Sequence, residues 1–590
     1  MGPRGRLPVV TAAHLFVSAV IAGVFAWRFG QNPRVVLSHL VLVAEWDCVL
    51  LVLPAAVFRW LLTATCSAQV YLYVLDAVSN ASWGRNVTGH LVVAFAPTVW
   101  SGQEAFPVGK PGITLFFGGT FVLIAALIWL VSRGADVALR RQLGTARTLA
   151  IAAAAVVGFG ATITLGVGQR DNLFWKDELL ASFFRPVGYA FEPTARRHAV
   201  AERDAVLQAS YPRHVPGARR TNVILVIVDS LRADHMQVYG YQRPTTPFLS
   251  QLVSSGRMKK VDMAFSTCSE SFCGITSTLA GREFRDISAR TFQLQDALRD
   301  EGYRTWFLLS GNHTAWNGLP QFYRADEGTL FDGSQTQRYT MDDDRLVLEG
   351  LERVPPASAD RPAFFYVHLM STHYLGVQFP RSHVFTRPDD SVDPGEQPYA
   401  ILDQLQKRDR YDDKVLQADG VVHDLFEAFA AKHYLDDAVV VVTGDHGEGL
   451  GERHWAHGWH LYNEDIRIPM LIYDVSRAKY QDLSFATQVD IAPTILDRLG
   501  LPIPASWEGQ SLLTRTPTRF TYHQTYFLPN RFAVIYRDGG DLYKFISTPD
   551  YGKEELYDLI HDGGETHNLV EQEPRLAAVL RDKVRSYRDE

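Results

Sequence analysis

Long apolar runs limit what this chain can become more than any other feature. They are confined to its first 170 residues, while the remainder has the mixed composition of a water-soluble globular protein. Stretches near 9–27, 35–58, 60–79, 112–132 and 148–168 are mostly apolar. Each is roughly 20 residues long, enough to cross a hydrocarbon core of about 30 Å. The pattern predicts a bundle of about five membrane spans over 1–168, a juxtamembrane linker over 169–220 and a large exported domain over 221–590. The third run is the weakest, because it carries Asp76. Glu45 and Asp47 fall inside the second, where a charge needs a partner, either a neighbouring span or a headgroup ammonium.

Orientation follows from the basic residues of the short loops. Arg4, Arg6, Arg59, Arg133, Arg140, Arg141 and Arg147 share one side of a five-span bundle, and Arg28, Arg34, Arg85 and Lys110 are spread over longer loops on the other. The denser side is the cytoplasmic one, which exports everything after 168. A length of 590 residues exceeds one ordinary domain, and a net charge of −7 gives no reason to expect nucleic acid. Cys48 and Cys66 lie within the apolar runs, whereas Cys268 and Cys273 lie in the exported part, where an oxidising compartment favours a disulfide. The mixed stretch 169–220 reads either as an interfacial segment or as an ordinary solvated helix.

From Thr221 onward, short apolar runs alternate with helical stretches. Strands are predicted at 222–228, 304–310, 363–369, 438–443 and 469–473, and helices at 271–280, 293–302, 401–433 and 490–499. This alternation predicts an α/β domain with a mostly parallel central sheet covered by helices on both faces. The stretch 376–400, rich in Pro and Asp, predicts a long surface loop.

In open α/β sheets, ligands bind beyond the carboxyl ends of the strands. Asp229 follows the run "NVILVIV", and Asp445 and His446 follow "AVVVVTG". Two carboxylates and an imidazole at such positions make a cation site that suits zinc or manganese better than calcium. Taken alone, Asp229 reads equally as a helix cap. Ser271 opens a helical run, where free N–H groups favour an anion and a nearby metal would make its hydroxyl a nucleophile; the plain alternative is an N-cap. His373 and His457 lie in loops near strand ends and are candidates for holding or protonating a phosphoryl group, while His368, on a strand, reads as a core residue.

The segments "VIVDSLRADHMQVYGYQRPTTPFL", "SFCGITSTLAG", "VHLMSTHY", "TGDHGEG", "HGWHLYNEDIRIPMLI" and "EELYDLIHDGGETHNL", in this order, resemble the sulfatase branch of the alkaline phosphatase superfamily. With the apolar amino-terminal region, the chain is similar to the bacterial phosphoethanolamine and phosphoglycerol transferases. The resemblance implies Asp229, Ser271, Asp445 and His446 as ligands of a divalent metal, zinc or manganese. It implies Ser271 as nucleophile and His373 and His457 as phosphate-binding histidines. It further implies a phospholipid donor, an envelope glycan or lipopolysaccharide-type acceptor, and a multi-pass protein of the bacterial inner membrane with its catalytic domain outside the cytoplasm. Two departures bear on the reaction. The pattern C/S-x-P-S-R, whose first residue becomes formylglycine in many sulfatases, is absent, since "FCGIT" follows Ser271; this favours phosphoryl transfer over sulfate ester hydrolysis. The transferases usually carry Thr just after Cys-Gly, where this chain has Ile275, so Thr276 stands as the reserve nucleophile.

Overall fold

The computed structural model describes residues 6–28, 34–51, 55–83, 118–128 and 178–184, isolated positions between them, and 195–589 with short interruptions, of which 334–341 and 387–403 are the longest. The chain divides into two compact units, Met1–Gly188 and Tyr189–Glu590.

The first unit contains helices α1 (Arg6–Arg28), α2 (Arg34–Leu51) and α3 (Ala55–Trp83). Its polarity is inverted. Phe16, Trp27 and Trp60 are 71%, 83% and 68% exposed, while Ser38, His39, Asp47, Gln69, Asp76 and Glu178 are buried. Several of its polar groups pair with one another: His14 Nδ1 lies 2.9 Å from Asp47 and its Nε2 lies 2.6 Å from Gln69, and His39 bridges Glu178 and the Tyr73 hydroxyl at 2.6 Å each.

Among the described residues, no helix is long and apolar enough to cross a membrane. The five expected spans are therefore not supported, for local reasons. The run 35–58 falls partly in α2, which ends at Leu51, and partly in α3, which begins at Ala55. Helix α2 carries Arg34, Glu45 and Asp47, and α3 carries Arg59 and Asp76. The expected spans 112–132 and 148–168 fall largely outside the described residues.

The second unit is built on seven strands: β1 (Asn222–Val228), β2 (Met258–Lys260), β3 (Arg304–Leu309), β4 (Leu330–Asp332), β5 (Ala363–Leu369), β6 (Ala438–Gly444) and β7 (Met470–Asp474). Their spatial order is β2-β7-β6-β1-β5-β3-β4. The five from β6 to β4 run parallel, and β7 pairs antiparallel with both β6 and β2. Side chains along a strand alternate between faces, so β1 divides its apolar residues between two cores. Val223, Leu225 and Ile227 pack against α5 (Ser271–Ala280) and α7 (Ile491–Leu499). Ile224, Val226 and Val228 join Tyr411, Val415, Leu425 and Phe429 of α6 (Gln404–Ala431). The uninterrupted apolar runs of β1 and β6 follow from this double burial.

Helix α4 (Ala195–Ala209) lies in the stretch read as a linker, and it is tied to the second unit: Arg282 donates to both oxygens of Asp204 at 2.9 Å, and Arg196 donates to Asp286 at 2.9 Å. A second sheet, β8 (Thr518–Gln524), β9 (Phe532–Asp538), β10 (Asp541–Thr548) and β11 (Lys553–Asp558), is wholly antiparallel, and Ala577, Leu580 and Val584 of α8 (Pro574–Asp589) cover Val534, Phe545 and Leu556. Of the predicted loop, residues 387–400 lie outside the described residues.

Candidate active site

Strand register assembles the site. Val228 is level with Gly444 on one side and Leu369 on the other, so the next residues, Asp229 and Asp445, leave the sheet side by side, and His373 follows shortly after β5. Ser230 turns the chain with a φ of 60°, a left-handed conformation that costs a serine some strain. The turn directs its N–H to Asp445 Oδ1 at 3.0 Å and its hydroxyl to Asp229 Oδ1 at 2.9 Å.

Ser271 is the first residue of α5, and the Glu270 side chain caps the helix through the Phe272 N–H at 2.8 Å. The Ser271 hydroxyl lies 3.2 Å from Asp229 Oδ2 and 3.1 Å from His446 Nε2. His446 Nδ1 donates to the Gly447 carbonyl at 2.7 Å, which leaves Nε2 as the free lone pair facing the cluster. That nitrogen is 3.6 Å from both Asp229 and Asp445. Helix α5 comes this close only because residue 274 is glycine; a Cβ there would collide with the Asp445 carbonyl oxygen. Cys268 and Cys273 form a disulfide around the start of α5, the pairing the sequence led one to expect.

The donor set fits a divalent cation. Asp229, Asp445 and His446 present one ligand atom each within 4.8 Å of one another, all buried. Asp445 Oδ2 is buried without a hydrogen-bond partner. Burial, and then the neighbouring Asp229 carboxylate, push the Asp445 carboxyl up from its ordinary range, the repulsion expected of two buried acids that lack a cation between them.

The histidines differ in character. Burial holds His373 well below its ordinary value, and its Nδ1 accepts from the Leu375 N–H at 3.3 Å, leaving Nε2–H as a neutral donor. For His457, burial works downward but Glu448, 3.0 Å from Nδ1, outweighs it and raises the imidazole to about 9. The His457 ring lies 4.2 Å from that of His446 and 5.4 Å from that of His373. The structure thus brings Asp229, Ser271, His373, Asp445, His446 and His457 together. Thr276 is not among them, since its hydroxyl donates 2.7 Å back to the Phe272 carbonyl within the helix.

Four further residues belong to the site. Glu448 orients His457, Lys414 donates to the His373 carbonyl at 2.9 Å, Glu270 adds its charge near His457, and His313 Nε2 lies 3.4 Å from Asp229. His368, expected as a core residue, is fully buried on β5 with its ring 4.1 Å from that of His313. His313 carried a readable signal, a histidine just past a predicted strand end. Lys414 carried none, being one of several cations on a long helix.

Residues 221–501 match the sulfatase family model, and residues 451–590 match that of the N-sulphoglucosamine sulphohydrolase C-terminal region. Arylsulfatase K of Bos taurus is 27% identical over 185 residues, covering 29% of this chain and 34% of that protein. The Kdo(2)-lipid A phosphoethanolamine 7''-transferase of Salmonella typhimurium is 23% identical over 267 residues, covering 43% of this chain and 44% of that protein. The chain therefore spans between about a third and under half of these curated relatives. Among solved structures, the C-terminal periplasmic domain of EcEptC from Escherichia coli in complex with Zn overlaps 53% of this chain and 91% of that domain, at 20% identity and a TM-score of 0.44. Over residues 221–501 the chain carries a domain of the sulfatase family within the alkaline phosphatase superfamily.

Proposed function

We propose that the chain is a metal-dependent transferase that moves a substituted phosphoryl group, phosphoethanolamine or phosphoglycerol, from a phospholipid to an envelope glycan or lipopolysaccharide-type acceptor through Ser271. The observation that carries this reading is a serine hydroxyl at a helix start, within 3.2 Å of Asp229 and 3.1 Å of His446. A hydroxyl can store a phosphoryl group as an ester, whereas the residues after it lack the pattern for conversion to formylglycine.

Asp229, Ser271, Asp445 and His446 would hold a divalent cation, zinc or manganese, which when bound would lower the pKa of the serine hydroxyl and offset charge on the phosphoryl oxygens. The Ser271 proton, hydrogen-bonded to Asp229, passes by way of that carboxylate to solvent as Ser271 Oγ attacks phosphorus. The bond from phosphorus to the diacylglycerol oxygen breaks, and cationic His457 delivers a proton to that oxygen. His373 donates Nε2–H to a non-bridging oxygen. In the second half, neutral His457 takes the proton of the acceptor hydroxyl as its oxygen attacks phosphorus; the bond from phosphorus to Ser271 Oγ breaks, and Oγ leaves as the oxyanion it was before attack.

The exposed apolar exterior and buried polar interior of the first unit support membrane attachment, which would bring a lipid donor within reach; an extracytoplasmic catalytic domain agrees with the disulfide. A second reading, a membrane-attached phosphate or sulfate ester hydrolase, is favoured by the sulfohydrolase-type match over 451–590. Intact mass of the purified chain after exposure to mixed envelope lipids separates the two. The transferase predicts a mass increment equal to the donor headgroup phosphate on Ser271, discharged by acceptor. Hydrolysis of lipid with no acceptor requirement, or a formylglycine at 268, 271 or 273, would sink it.

A further inference from the structure

The segment after His446 carries more histidines than the active site uses. Gly449–Leu450 and Trp455–Ala456 form a short antiparallel hairpin, and a single turn of helix follows at Asn463–Ile466. His457 projects from this segment toward His446, while His454 and His460, three residues to either side of it, stack on each other with ring centroids 3.9 Å apart. Asp465 joins them: a carboxylate oxygen lies 3.0 Å from His454 Nε2. One ligand atom from each of His454, His460 and Asp465 falls within a 4.8 Å cluster.

The satisfaction of these groups is incomplete. His454 Nδ1 and His460 Nδ1 are both buried without a hydrogen-bond partner, and Asp465, which has no exposed surface at all, meets His454 Nε2 with its carboxylate. Native proteins leave few such atoms, and two in one cluster of ligand-type side chains call for a missing partner. The nearby guanidinium of Arg453 is paired with Glu464 at 2.8 Å, and that of Arg531 donates to the Trp459 carbonyl.

We propose that His454, His460 and Asp465 form a second divalent-cation site, separate from the Asp229–Asp445–His446 cluster, which ties the hairpin to the following turn and so fixes the backbone that carries His457. Two imidazoles and a carboxylate suit zinc, leaving a fourth position for water. The ligands come from twelve consecutive residues, and Gly447 N–H bonds the Asp465 carbonyl at 2.6 Å, so a cation there also braces the chain just after His446. Ala456, directly before His457, holds a left-handed φ of 61°, a conformation that needs such bracing.

The test is zinc stoichiometry of the full chain, stripped of metal and titrated against a chromophoric chelator. Wild type should bind two ions, Asp445→Ala one, and His460→Gln one. His460 makes no hydrogen bond to Asp465, so its replacement is the mild variant; a second, His454→Gln, should also leave one ion. In Asp445→Ala, cobalt absorption should persist and be lost when His460→Gln is added. Two ions bound by folded His460→Gln and His454→Gln overturns the proposal, and so does an Asp445→Ala protein that binds no ion.

Discussion

The two units of this chain solve opposite burial problems. In the first, His14, His39, Asp47, Gln69 and Glu178 turn inward and pair with one another, while Phe16, Trp27 and Trp60 face outward. In the second, apolar strands are buried on both faces and polar chemistry gathers where the strands end. On the proposed membrane attachment, the difference teaches what each unit would treat as its solvent: polar groups are sequestered where the surroundings offer no hydrogen bonds, and apolar groups where the surroundings are water. A side chain of one chemistry therefore has opposite worth in the two places.

The largest effect should come from the strand-end chemistry. Ser271→Ala should cut transfer by about 1,000-fold or more, since it removes the nucleophile, while leaving the thermal transition within a few degrees. Thr276→Ala, whose hydroxyl only bonds its own helix, should keep most turnover. Steady-state kinetics on a short-chain phospholipid decides between them, and the opposite ranking would move the nucleophile five residues along the helix.

The burial contrast itself can be broken by matched substitutions. Leu225→Ala in β1 should cost about 2–5 kcal/mol of stability, because a buried side chain leaves a cavity. Phe16→Ala in α1 should cost less than about 0.5 kcal/mol in detergent, yet weaken retention by lipid vesicles. Chemical unfolding and vesicle flotation measure the two. An equal stability loss at both positions would show that the outward face of α1 is covered by protein and would remove the contrast.

The smallest effect sharpens the chemistry within the second unit. Glu448 holds His457 cationic up to about pH 9. Below that value His457 keeps the proton it delivers to the leaving group, and activity should fall as pH rises through it. Glu448→Gln removes the raising charge, so the alkaline limb should move toward neutrality, and kcat at pH 8 should drop roughly 10-fold to 100-fold. An unchanged pH profile would separate Glu448 from the catalytic histidine.

Much of this was legible because parallel α/β domains write their core as continuous apolar runs. The strands predicted at 222–228 and 363–369 coincide with β1 and β5, and the helix predicted at 271–280 coincides with α5, so Asp229, Asp445, His446 and Ser271 followed from strand and helix ends. The antiparallel sheet β8–β11 did not. Its strands are half-buried, and Lys544 and Arg537 are drawn into its interior by Glu565 and Asp482, which erases the alternation a reader needs. Lys414 and Glu448 act through contacts across the fold or within a loop, where no period exists to reveal them. The expected spans of the first unit find no support among the described helices, where α2 carries Arg34, Glu45 and Asp47 and α3 carries Arg59 and Asp76 within otherwise apolar runs.

The pairing of β1 with β6 has a kinetic meaning. Ser230 and Asp445 meet although 215 residues separate them in the chain. A one-residue slip between these strands would keep their valines and isoleucines paired but set the two acids out of step. Affinity for a cation is thus acquired only when this long-range contact has closed in the right frame. Cation uptake during refolding becomes a clock for that late event, and an ion captured early would reward the correct frame over its near neighbours.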